Sequence, residues 1–198
     1  MALSGIYDIF NEAWKDYQTI YIISDTHFGE DDLKRAFPNR PSDDELVKRI
    51  NAKVGKKDLL IHLGDVGDLE YMKKIRGHKI LIAGNHDTGI TKYKEVFDEV
   101  YEGALIIGEK LILSHEPIAM IPWAFNFHGH NHAQKKNALN HMNVCADVLG
   151  YEPAHLNSLL NGGIAKNIYT IHRSTIDFAT KKKLKRGGKK LENVKNFG

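Results

Sequence analysis

Short apolar runs and amphipathic stretches alternate along the first half of the chain. Residues 20–24, 59–63 and 79–83 are apolar or β-branched and end at Gly or Asp, which predicts buried strands. After the first comes a polar loop that ends in NRPS. Ser42-Asp43-Asp44-Glu45 then forms a capping-box pattern, with Ser42 accepting from the amide at N3 and Glu45 reaching back. Leu46, Val47, Ile50 and Val54 follow at helical spacing until Gly55 stops them. Residues 69–75 predict a second, shorter helix. Strand alternating with helix favours an α/β domain with a parallel or mixed sheet covered by helices.

The second half is richer in strands. Residues 104–107 and 111–114 flank Gly108-Glu109-Lys110 as a hairpin, and 125–128 and 143–146 predict further strands. Residues 152–156, with Pro153 near a first turn, predict a helix start, and 168–171 an edge strand. Before the first strand, Ile6, Ile9, Phe10, Ala13, Trp14 and Tyr17 recur at three- and four-residue steps. Residues 1–19 are therefore expected to form an amphipathic helix packed on the domain, or alternatively a homo-oligomer contact. Residues 20–180 make one domain, and 181–198 a basic tail.

Composition narrows the picture. A chain of 198 residues, 42% hydrophobic and 27% charged, suits a single well-buried domain. The net charge of +3 sits mostly in the tail, so a nucleic-acid partner is not favoured; a solvated terminus is the plainer reading. One cysteine, Cys145, excludes an intrachain disulfide and reads as a buried, inert thiol. No apolar run reaches the roughly 18 residues a membrane span needs, and the N-terminus lacks a signal-peptide pattern. A cytoplasmic location is expected.

Chemistry concentrates where strands end. Asp25-x-His27, Asp65-x-x-Asp68, Asn85-His86-Asp87, His115 and His130-x-His132 each follow a predicted strand. On extended backbone, residues i and i+2 point the same way, so both members of each x-separated pair face one cavity. Carboxylate, imidazole and amide oxygen together make a mixed N/O set suited to Mn²⁺, Fe, Zn²⁺ or Ni²⁺. His62, His78, His128, His141, His155 and His172 read mainly as surface or core filler, with His62 and His128, which alternate inward near these loops, having support of the ligands as an alternative role. Phe125 and Trp123 are expected in the core rather than stacked on a base.

D-x-H, G-D-x-x-D, G-N-H-D, a single H and G-H-x-H, in that order, resemble the calcineurin-like metallophosphoesterase superfamily. SDTHFGE, NRPS and NVCADVLGYEPAHLNSL resemble its small bacterial and phage branch. The resemblance implies a four-layer α/β sandwich, two mixed sheets flanked by helices. It implies two divalent ions, Mn foremost with Fe, Zn, Ni or Mg as alternatives, roughly 3.5–4 Å apart. Asp25, His27, Asp65 and His132 would hold the first, and Asp65, Asn85, His115 and His130 the second. A bridging hydroxide would attack phosphorus in line. His86 would serve the leaving oxygen, with Asp68 hydrogen-bonded to it as orienting acid. Several members carry an Arg directly after that second Asp; here it is Leu69, leaving Arg40 or Arg76 as the phosphate clamp. A small phosphodiester or phosphomonoester is the expected substrate. A nuclease using the basic tail and a non-catalytic scaffold of the same fold are the alternatives.

Overall fold

In the computed structural model, which describes residues 16–107, 111–118, 124–133 and 140–161, each strand's side-chain alternation decides which layer it builds. The first strands are β1 (Ile20–Ile23), β2 (Leu59–His62), β3 (His78–Ile82) and β4 (Glu99–Tyr101). They pair in parallel, and β9 (Ala154–His155) adds antiparallel to β1, giving the order β4-β3-β2-β1-β9. Ile22, Leu59, Ile61, Ile80 and Ile82 point to one face of this sheet, while Ile23, Leu60 and Leu81 point to the other.

The second face is covered by α2 (Asp43–Lys53) and α3 (Leu69–Lys73), through Leu46, Val47, Ile50 and Met72. Ser42 caps α2 by accepting from the Glu45 amide at 3.3 Å. Glu45 does not reach back as expected; its carboxylate takes Arg49 at 3.1 Å instead.

The first face packs on a second mixed sheet of β5 (Leu105–Ile107), β6 (Leu111–Leu113), β7 (Phe125–His128) and β8 (His141–Asn143). Here β5 runs antiparallel to β6, as the hairpin reading required, and β6, β7 and β8 are parallel. Leu111, Leu113, Phe125, Phe127 and Met142 fill the space between the sheets, so Phe125 is core. The fold is thus two mixed sheets with flanking helices.

Several expectations are corrected. The loop before NRPS contains α1 (Asp31–Ala36), none of whose residues is buried. The strand expected at 143–146 lies earlier, and α4 (Ala146–Leu149) begins where it was to end. The helix expected from Pro153 starts only at α5 (Leu156–Asn161), because Ala154 and His155 pair with β1 first. The N-terminal helix to residue 15, the hairpin turn, Trp123, the strand at 168–171, His172 and the basic tail lie outside the described residues.

What matters for the site is where the strands stop. The C-terminal ends of β1, β2 and β3 meet those of β6, β7 and β8 along one edge. Ser24 donates to the Val144 carbonyl at 3.0 Å and accepts from the Ala146 amide at 2.9 Å, sewing the two sheets together beside that edge.

Candidate metal centre

The backbone turns sharply at each of these strand ends. Asp25, His27, Asp65 and His130 all hold left-handed φ values, of 58°, 40°, 55° and 68°. Such conformations cost a non-glycine residue roughly 1–3 kcal/mol each. They persist because the loops bind one another: the Asp25 amide donates to the Gly64 carbonyl at 2.9 Å, and the His27 amide to Asp65 O at 3.0 Å. Room between the loops is minimal. A Cβ on Gly84 would collide with the Asp65 carboxylate, and one on Gly129 with Ser24 Oγ and the Asp25 carboxylate.

Asp25, His27, Asp65, Asn85, His115, His130 and His132 converge. The Asp65 Oδ2 atom lies 3.2 Å from His115 Nε2 and 3.5 Å from His27 Nε2. Asp25 Oδ1 stands 3.9 Å from His27 Nε2 and 3.6 Å from His132 Nε2. On the other side, Asn85 Oδ1, His115 Nε2 and His130 Nδ1 lie 2.9–3.1 Å from one another. Asp25-His27-Asp65 and Asp65-His115-His130 each form a group of metal-ligating atoms, with Asp65 common to both.

Three of the four imidazoles have a second partner that fixes their orientation. His27 Nδ1 meets Glu30 at 2.9 Å, His132 Nδ1 meets Asp147 at 2.7 Å, and His115 Nδ1 meets the Leu63 carbonyl at 2.8 Å. An oxygen acceptor at Nδ1 places the proton there and turns the Nε2 lone pair inward, the usual arrangement for metal-bound histidine. Buried His27 Nε2 then has no hydrogen-bond partner, and lone pairs of oxygen and nitrogen face each other. A divalent cation in each group would relieve that repulsion, so the donor set fits the metals the sequence implied.

Charge at the centre agrees. Burial alone would raise the Asp65 carboxyl, but the adjacent His115 imidazole, the hydrogen bond from the His86 amide and nearby His27 hold it at about 2. Burial likewise opposes a charged His115, yet Asp65 and Asp25 outweigh it and its pKa rises. Both shifts describe a centre that attracts positive charge.

Four further residues take supporting roles that the sequence did not assign them. Glu30 and Asp147 orient ligands as described. Asp87 accepts from the amides of Asp65, Val66 and Gly84 at 2.8–3.0 Å, tying the second loop to the third. Arg40 is buried and donates to Asp147 at 2.6 Å and to the carbonyls of Asp25 and Thr26. It is therefore a structural tie and no phosphate clamp. Arg76 is exposed before the start of β3, at the opposite end of the strands, and serves no better. Of the two inward histidines, His62 donates to Thr26 Oγ1 at 2.9 Å, between Asp25 and His27, and His128 donates to the Gly129 carbonyl at 2.9 Å. Cys145 is buried 3.5 Å from His132 Nδ1, where burial pushes its thiol above the usual range.

His86 projects toward solvent, edge-on to His27 at 5.2 Å. Asp68 does not orient it: no hydrogen bond joins the two among the described residues, and Asp68 instead caps α3, accepting from Glu70 N at 2.9 Å. A cavity of about 340 Å³ opens over the centre between His86, His132 and the Leu33–Ala36 side of α1. A second, also about 340 Å³, lies against Asn85, His115, Gly103 and Glu116.

Residues 18–187 match the family model for the calcineurin-like phosphoesterase domain. The chain belongs to this family. Its membership supports a metal-dependent phosphoester hydrolase in general, and the family binds divalent metals. Among solved structures, the fold is similar to AQ665, a protein of unknown function from Aquifex aeolicus. That match has a TM-score of 0.61 at 26% identity, covering 71% of this chain and 97% of that one. A weaker match, TM-score 0.42 at 22% identity, is to the nuclease MPE of Pseudomonas putida, over 57% of this chain and 61% of that one. No curated protein matches the chain. Among the described residues no helix is long and apolar enough to cross a membrane.

Proposed function

We propose that this family member hydrolyses a small phosphate ester at a binuclear centre. The observation that carries the reading is the shared Asp65 carboxylate between two groups of inward-turned nitrogen and oxygen donors. Asp25, His27 and His132 would hold one divalent ion, Asn85, His115 and His130 the other, and Asp65 both. Manganese is the leading choice for an N/O set without thiolate. Such a pair, when bound, supplies Lewis acidity that brings a water's pKa toward neutrality and draws charge from the phosphoryl oxygens.

The chain's own residues do the rest. Asp65 and Asp25 offset the repulsion between the ions, and each is anchored through a carboxylate oxygen by a backbone amide, from His86 and His130 respectively, at 2.9 Å. The Nδ1 partners of His27, His115 and His132 keep those rings from rotating away. His86 lines the cavity without being tied to another side chain among the described residues, free to place a proton on the departing ester oxygen.

After EDTA treatment and readdition of Mn²⁺, the protein is expected to hydrolyse a chromogenic phosphodiester. His86→Ala is expected to lower turnover about 10²–10⁴-fold, as loss of a positioned acid does, while metal content stays put. Turnover that survives EDTA, or that His86→Ala leaves intact, would refute the assignment.

A further inference from the structure

The two cavities adjoin the centre and share Asn85, with no other described lining residue in common. A phosphomonoester has one organic arm and needs one cavity. A phosphodiester has two arms leaving phosphorus in different directions, and each requires its own space. Building on the phosphoester reading above, we propose that the substrate is a phosphodiester whose two arms occupy these cavities and carry no further phosphate.

His86 lines only the cavity beside α1, so the departing alcohol lies there. Its wall is the apolar side of α1, Leu33 and Ala36. The retained arm lies in the other cavity, along Gly103 and Ala104, with exposed Ile118 at its rim. Besides the ligand Asp65 on the first, each cavity carries carboxylates: Glu30, held by His27, and Asp32, paired with Arg35, on the first, and Glu102 and Glu116 on the second. An arm bearing its own phosphate, as at an internal linkage of a polynucleotide, would meet those carboxylates with like charge. Uncharged arms meet no such penalty and gain from the apolar walls.

The chemistry balances as a simple hydrolysis. Water adds to phosphorus, the P–O bond to the α1-side alcohol breaks, and a proton from His86 completes the leaving alcohol; the other arm departs as a monoester.

Gly103 offers a test, because it lines the second cavity and an added Cβ there meets nothing within 4 Å, so a large side chain is accommodated without a clash. Bis(4-nitrophenyl) phosphate and methyl 4-nitrophenyl phosphate share a leaving group and differ only in the retained arm. In the Mn²⁺-loaded protein, Gly103→Trp is expected to lower the ratio of kcat/KM between them at least about tenfold, the scale on which pocket contacts discriminate. Ala36→Trp, on the leaving-group side, is expected to slow both substrates and keep the ratio within about twofold. Calorimetric titration with diphenyl phosphate reads the Gly103→Trp loss without relying on turnover. The proposal is overturned if the ratio is unmoved by Gly103→Trp, or if both variants move it alike. It is equally overturned if 4-nitrophenyl phosphate or an oligonucleotide outruns the neutral-armed diester. Failure to hydrolyse any of these esters would instead remove the phosphoester reading itself, and this proposal with it.

Discussion

Residues that never touch a metal decide whether the ligands are ready for one. Glu30 is the cleanest instance: it holds His27 Nδ1 at 2.9 Å from the surface side, where its own removal disturbs no core packing. Glu30→Gln is expected to weaken Mn²⁺ affinity about 10–100-fold, the usual cost of losing a ligand's carboxylate partner, with little change in melting of the EDTA-treated protein. Unchanged Mn²⁺ affinity by calorimetry would mean that His27 is oriented by something else. His62 carries a different consequence. Complete burial lowers its pKa to about 4, whereas the unfolded imidazole titrates near 6.5. Between those values the unfolded chain binds the extra proton, so stability is complete above about pH 6.5 and declines as pH falls toward 4. The whole effect is on the order of 3 kcal/mol. Denaturant titrations of the EDTA-treated protein from pH 7 to 4.5 are expected to show that slope, and His62→Gln to remove most of it. An undiminished slope in the variant would place the titrating group elsewhere. The partnerships of Glu30, Asp147 and Asp87 were not legible in the sequence, although Glu30 and Asp87 sit within stretches that stood out. Glu30 is three residues from its histidine, but Asp147 and Asp87 meet ligand loops 15 and 21–22 positions away, and no local pattern encodes that.

Elements divide by how much of their identity is local. The strands β1, β2 and β3 and the helix α2 were readable because burial on one or both faces imposes an apolar period. The six residues of α1 have no buried position and so show no stripe. The three-residue β4 is too short to establish one, and β9 exists only because β1 offers Tyr21 and Ile22 for pairing. Pro153 suggested a helix start on local grounds, and the sheet edge overruled it. The glycines of the motifs were legible as turns, though their reason is contact rather than φ alone. At Gly129 a methyl would press on Ser24 and Asp25. Gly129→Ala is therefore expected to cost about 1–3 kcal/mol, as overpacking does, and to weaken Mn²⁺ binding by displacing Asp25. Thermal melts with and without Mn²⁺ check this; a variant that melts and binds like the parent would show that the loop yields freely.

At the scale of the whole molecule, two sheets bring seven donor side chains to one edge, five strand ends contributing. Neither sheet holds a complete site: Asp25, His27, Asp65 and Asn85 come from the larger, His115, His130 and His132 from the smaller. The order of motifs was enough to anticipate this convergence, since each lies where a parallel strand stops. The sharing of Asp65 is its most consequential feature, and metal stoichiometry measures it directly. Elemental analysis of the Mn²⁺-saturated, desalted protein is expected to find two ions per chain, and Asp65→Asn one or none. A parent protein holding at most one ion, or an Asp65→Asn variant that keeps two, would contradict the shared carboxylate.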